Sequence, residues 1–105
     1  MTITIYGIKA CDTCRKALKE IEGSVLHDVR DAPLSEAQLK VFHDLFGEKL
    51  LNTRSTTWRG LSEEERQIAP IQLLLAHPTL MKRPIIASQD HTTIGWDAAA
   101  KAVWL

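Results

Sequence analysis

At 105 residues the chain has room for one domain of the usual size of about 100–200 residues, and 45% hydrophobic with 25% charged residues is a globular composition, which excludes disordered and collagen-like classes. Thirteen Lys and Arg balance thirteen Asp and Glu, so no overall basic field draws the chain to nucleic acid or to an anionic membrane. No apolar run approaches the ~20 residues that a bilayer span needs, and the N-terminus lacks both a charged n-region and an apolar h-region, which predicts a cytoplasmic protein.

Thr2 to Tyr6 alternate and stop at Gly7, the pattern of a strand opening onto the segment that holds both cysteines, Cys11 and Cys14. From Asp12, Cys14, Ala17, Leu18 and Ile21 keep the i, i+3, i+4, i+7 spacing of an amphipathic helix, with Gly23 as its stop. Val25 to Val29 predicts a second strand before the turn residues Asp31 and Pro33, giving a right-handed βαβ unit. Ser35 with Gln38 forms a capping box, Leu34 is placed to staple onto Leu39, and Gly47 closes that helix. A second box, Ser62 with Glu65, opens a short helix bounded by Pro70, and Ile71 to His77 predicts another before Pro78. Pro84 to Ala87 and Thr92 to Trp96 form a hairpin turning at Gln89 to His91, and Asp97 caps a last helix from Ala98 to Trp104. The order β-α-β, helical insertion, β-β-α, with Cys-x-x-Cys after the first strand, predicts an α/β thioredoxin-like fold: one domain over 1–105, a mixed four-stranded sheet and a helical insertion at about 34–78.

Cys11 falls at the amino end of the first helix, where unpaired N–H groups and the helix dipole favour a thiolate. Lys9, Arg15 and Lys16 add positive potential nearby and Asp12 opposes it. Cys14, one turn on and on the apolar face, is the more buried thiol and a candidate resolving partner. Three other readings compete. Half of a zinc site needs further ligands, and His27, His43, His77 and His91 show no such spacing. Cys14 could be a plain core residue with Cys11 acting alone, or both thiols could be inert. No metal and no bound cofactor are expected. His77 is read as a cation at a helix C-terminus.

Three separated runs carry a resemblance: Tyr6-Gly-Ile-Lys-Ala-Cys-Asp-Thr-Cys-Arg-Lys-Ala17, Leu51-Asn-Thr-Arg-Ser-Thr-Thr-Trp58, and His77-Pro-Thr-Leu-Met-Lys-Arg-Pro-Ile-Ile86 followed by Ile94-Gly-Trp96. Together they resemble the ArsC/Spx/YffB family of small bacterial thioredoxin-fold proteins, most of all its YffB branch. That resemblance implies a glutathione-dependent thiol reductase, with Cys11 and Cys14 catalytic and glutathione as co-substrate. It implies, as the alternative, a Spx-like redox regulator that binds the C-terminal domain of the α subunit of RNA polymerase. Arsenate reduction of the glutathione type implies one cysteine and three arginines. Cys11 and Arg83 match, whereas the other arginines fall on Asn52, with Arg54 two residues on, and on Trp96. Pro84 matches the family's proline opposite the nucleophile, which implies a cis Arg83–Pro84 bond. Lys9, Arg15, Arg54, Arg83 and Pro84 are the substrate-binding candidates, against solvated surface charge for the arginines. Trp58 and Trp96 are either a substrate wall or, more simply, packing. A monomer is expected.

Overall fold

A computed structural model describes residues 2–105, which form two compact units, one from residues 2–32 with 83–105 and one from residues 33–82. The first unit holds β1 (Ile3–Gly7), α1 (Asp12–Glu20), β2 (Ser24–Asp28), β3 (Ile85–Ala87), β4 (Thr92–Ile94) and α6 (Ala98–Trp104). The second holds α2 (Glu36–Phe46), α3 (Thr56–Arg59), α4 (Glu63–Arg66) and α5 (Pro70–Ala76), with 3-10 turns at Gly47–Leu50 and Pro78–Leu80.

The sheet is mixed and four-stranded in the order β2-β1-β3-β4. β1 runs parallel to β2, as the α1 crossover requires, and antiparallel to β3, which pairs antiparallel with β4. The alternation seen in β1 has its cause in the core. Ile5, opposite Ile86 in the β1–β3 register, is fully buried and clusters with Ala17 of α1 and with Ile21, the residue that caps that helix. Ile3, Leu18, Leu26, Trp96 and Trp104 pack around that cluster. Each fully buried aliphatic side chain contributes roughly 1.5–3 kcal/mol, so the cluster is what holds α1 on the sheet.

In the second unit both expected capping boxes are present. Gln38 N–H donates to Ser35 Oγ at 3.2 Å and Glu65 N–H to Ser62 Oγ at 3.1 Å, with the reciprocal bonds from the cap amides. Leu39 and Phe42 of α2 and Leu73 and Leu74 of α5 are buried. Pro70 lies beyond the end of α4, as predicted, and is also the first residue of α5, one residue ahead of the predicted start, where its missing N–H costs nothing. α3 and the two 3-10 turns were outside the predicted elements. The strands also begin and end a residue or two from their predicted limits: β1 starts at Ile3, β2 covers Ser24–Asp28, and β4 stops at Ile94.

β1 ends on a glycine for a steric reason. A Cβ on Gly7 would overlap Cys14 Sγ and lie 3.1 Å from Cys14 Cβ. Gly7→Ala is therefore expected to destabilise the chain by about 1–3 kcal/mol, the usual cost of overpacking. Denaturant unfolding checks this, and adding Cys14→Ala should recover most of the loss.

Candidate active site around Cys11

Two elements build the site. β1 delivers the chain to the loop 8–11, and α1 begins at once, so that Cys11 is its N-cap residue with extended backbone (φ −83°, ψ 118°). Cys11 N–H donates to Ile8 O at 3.0 Å and Arg15 N–H to Cys11 O at 3.0 Å, closing a tight turn into the helix. Cys11 is partly exposed and Cys14 fully buried, the arrangement predicted for an attacking and a resolving thiol.

The two sulfurs have opposite electrostatics. Burial pushes the Cys11 thiol up, but the Cys14 backbone N–H, the Cys14 thiol and the Arg83 guanidinium all favour the thiolate, and the net shift is downward from the ordinary 9.0. Cys11 is the N-cap by its backbone geometry, and its side chain makes no cap hydrogen bond. Cys14 is pushed up to about 12, first by burial and then by the neighbouring Cys11 sulfur, against the Ile8 N–H and Arg83. One thiol is thus poised to ionise and the other to remain protonated beside it.

Arg83 immediately precedes Pro84, two residues ahead of β3, and the Arg83–Pro84 bond is cis, as the resemblance implied. Pro84 is buried, and its carbonyl accepts from Gly95 N–H at 2.8 Å. Lys9 and Arg15 are held by the protein itself. Lys9 Nζ lies 3.2 Å from Asp31 Oδ2, and Arg15 donates from Nε to Lys9 O at 2.8 Å and lies 3.7 Å from Asp12 Oδ1. They shape the loop, and the cation that acts on the Cys11 sulfur is Arg83. Arg54 belongs to residues 33–82, where it lines a cavity of about 520 Å³ with Asn52 and Lys82.

Of the two candidate tryptophans, Trp96 follows the packing reading. Trp96 rests on the core cluster and donates from Nε1 to Glu20 Oε2 at 2.6 Å. Trp58 lies under the Arg66 guanidinium, 5.4 Å from its ring centre. His77 is the residue that ends α5, and its Nε2 is 3.9 Å from Glu65 Oε2. Among the described residues no group of three or more His, Cys, Asp or Glu is placed to hold a metal ion, and no helix is long and apolar enough to cross a membrane.

The residue that sequence reasoning missed is Asp28. It ends β2 with only 9% of its surface exposed, and its carboxylate accepts the N–H groups of Lys9 at 2.9 Å, Arg30 at 2.8 Å and Asp31 at 3.3 Å. The Lys9 amide bond holds its carboxyl below the ordinary 3.8; burial opposes this, and the Arg30 and Asp31 amides add to the lowering. Asp28 therefore fastens the cysteine loop to the neighbouring strand. Its one sequence signal, an acidic residue closing a strand, reads equally well as a turn.

The family model described as "ArsC family" matches residues 6–102. An "Uncharacterized protein" of Haemophilus influenzae is 42% identical over 105 residues, covering 90% of this chain and 91% of its own. The "Regulatory protein MgsR" of Bacillus subtilis is 33% identical over 106 residues, covering 90% and 83%. The solved structure titled "YFFB (PA3664) PROTEIN" superposes with a TM-score of 0.87 at 32% identity, covering 98% of each chain.

Two outcomes follow from this geometry. Alkylation of the reduced protein should modify Cys11 first, with a pH midpoint below 9.0, and Arg83→Gln should move that midpoint upward because the positive charge that favours the thiolate is gone. Rate measurements across pH, with the modified residue identified by mass spectrometry, check both. For Asp28 the folded carboxyl value is depressed, so its contribution to stability is present above the unfolded value and is lost as pH falls through the folded one. The stability gap between the native chain and Asp28→Asn should accordingly be widest near neutrality and shrink in acid below about 3.8, as pH-dependent denaturant melts would record.

Proposed function

The chain belongs to the ArsC family, and on that footing we propose that it is a cytoplasmic thiol-disulfide oxidoreductase that uses glutathione as co-substrate. The observation that carries the reading is the pairing of a partly exposed, acidified Cys11 with a buried, protonated Cys14 one helical turn away. Cys11 thiolate attacks one sulfur of a substrate disulfide. A new S–S bond forms between Cys11 and that sulfur, and the other leaves as a thiolate with the bonding electrons and then takes a proton.

Cys14 then loses its proton and displaces the bound substrate sulfur, leaving a Cys11–Cys14 disulfide and a substrate reduced by two electrons. Once Cys11 is in a mixed disulfide it no longer bears the negative charge that helps keep Cys14 protonated, so the second step is favoured by completion of the first. Two glutathione molecules return the pair to dithiols and leave as one glutathione disulfide. Alternatively, glutathione itself releases the Cys11 adduct. The role of Arg83 is to hold the Cys11 anion, and Pro84 shapes the backbone opposite it. Of the three arginines that arsenate reduction implies, only Arg83 is matched, and a buried oxyanion needs fixed charged donors, so arsenate is not the substrate proposed.

The regulatory relative favours a second reading, in which oxidation of Cys11 and Cys14 changes α1 and with it a surface offered to the C-terminal domain of RNA polymerase α. Retention of the oxidised chain by that domain, lost on reduction, is the result this reading requires.

Mass spectrometry after treatment with glutathione disulfide tests the first reading. A stable adduct on Cys11 in Cys14→Ser, and an intramolecular disulfide in the native chain, are expected. If neither protein takes up glutathione, the thiol-exchange reading fails.

A further inference from the structure

The cavity within residues 33–82 is lined by Glu48, Lys49, Leu51, Asn52, Thr53, Arg54 and Lys82, and the geometry points to it as a binding site for a small dicarboxylate that carries one ammonium group. Its frame is rigid. Asn52 N–H donates to Leu80 O at 2.9 Å and Lys82 N–H to Leu50 O at 2.8 Å, on either side of the Leu51–Met81 bridge. Leu50, Leu80 and Met81 are all essentially inaccessible, so that bridge is anchored in the interior. The loop beyond it is a fixed turn in which Asn52 Oδ1 accepts Arg54 N–H at 3.1 Å and Asn52 O accepts Ser55 N–H at 3.1 Å. A backbone tied in this way fixes where the charged side chains start, which limits the ordering needed on binding to those side chains.

The charges name the ligand. Lys49, Arg54 and Lys82 form no ion pair with a carboxylate among the described residues, although the chain as a whole is neutral. Three cations facing one cavity exceed what one carboxylate group needs, and they suit two: Arg54 as a planar, two-pronged donor and the lysines as point charges. Glu48, the sole acid on the wall, penalises a purely anionic guest and is matched by an ammonium. Leu51 gives an apolar strip between the polar groups, and about 520 Å³ lies within the roughly 300–1,000 Å³ usual for small-molecule sites. A γ-glutamyl peptide has this combination of two carboxylates and one ammonium. Only the choice of probe rests on the glutathione reading.

S-methylglutathione is that probe, because it has no thiol to exchange. Titrated into the full reduced chain and followed by backbone amide NMR, it should shift Asn52, Thr53 and Arg54 and weaken as salt is raised, since the cations are exposed. Arg54→Gln and Lys82→Gln should each loosen it about tenfold, near the worth of one charge-assisted bond. Glu48→Gln should weaken S-methylglutathione yet strengthen glutarate, which lacks the ammonium. Absence of shifts at those three amides overturns the inference, as does glutarate or inorganic phosphate binding the native chain as tightly as the probe. The spectrum of each variant away from the cavity reports that it is folded. A Cys11 adduct with glutathione disulfide but no cavity shifts would sink this inference alone, while cavity shifts without an adduct would support it and leave only the exchange chemistry refuted.

Discussion

A buried sulfur occupies the space where a side chain on the last residue of β1 would lie, and the site follows from that contact. Because Gly7 has no Cβ, Cys14 can settle against the strand end, and α1 is then held by Ala17 and Ile21 on the same face. With the first turn of α1 fixed, Cys11 has one place to be: at the lip of the helix, partly exposed, above its partner. The same burial that positions Cys14 also keeps it protonated, so packing and reactivity have a single origin.

The thiolate at Cys11 depends on groups from distant parts of the chain. Its helix supplies the Cys14 amide and thiol, the segment leading into β3 supplies Arg83, and β2 supplies Asp28, which secures the loop by the Lys9 amide. Lys9 and Arg15, although nearer in sequence, are engaged with Asp31, Asp12 and the loop backbone. Proximity along the chain was a poor guide to which cation matters, because a loop's own charges are commonly consumed in shaping it.

Local signals were readable where the physics is local. The boxes at Ser35 and Ser62 join residues three apart, and the alternation of β1 reports one buried face, so both were evident from residue types. Thr56–Arg59 was missed because four residues carry no period and Thr and Trp are indifferent helix formers; Ser55 and its bond to Trp58 N–H nucleate the turn. Pro70 has two roles, a limit for α4 and the first residue of α5, and residue type alone signals only the first. Arg83 was legible through family likeness alone, and Asp28 and the wall formed by Lys49 with Lys82 were not legible at all. Each depends on chain segments far apart in sequence that meet only after strands or bridges have paired.

The indole rings have a practical consequence. Trp96 and Trp104 lie in the sheet unit, each with its N–H bonded, to Glu20 and to Thr93, whereas Trp58 stands alone in residues 33–82 beneath a guanidinium. Nature has therefore equipped each half of the molecule with its own fluorophore in its own surroundings. Replacing one set with phenylalanine turns emission into a channel that watches a single half melt, without any label attached.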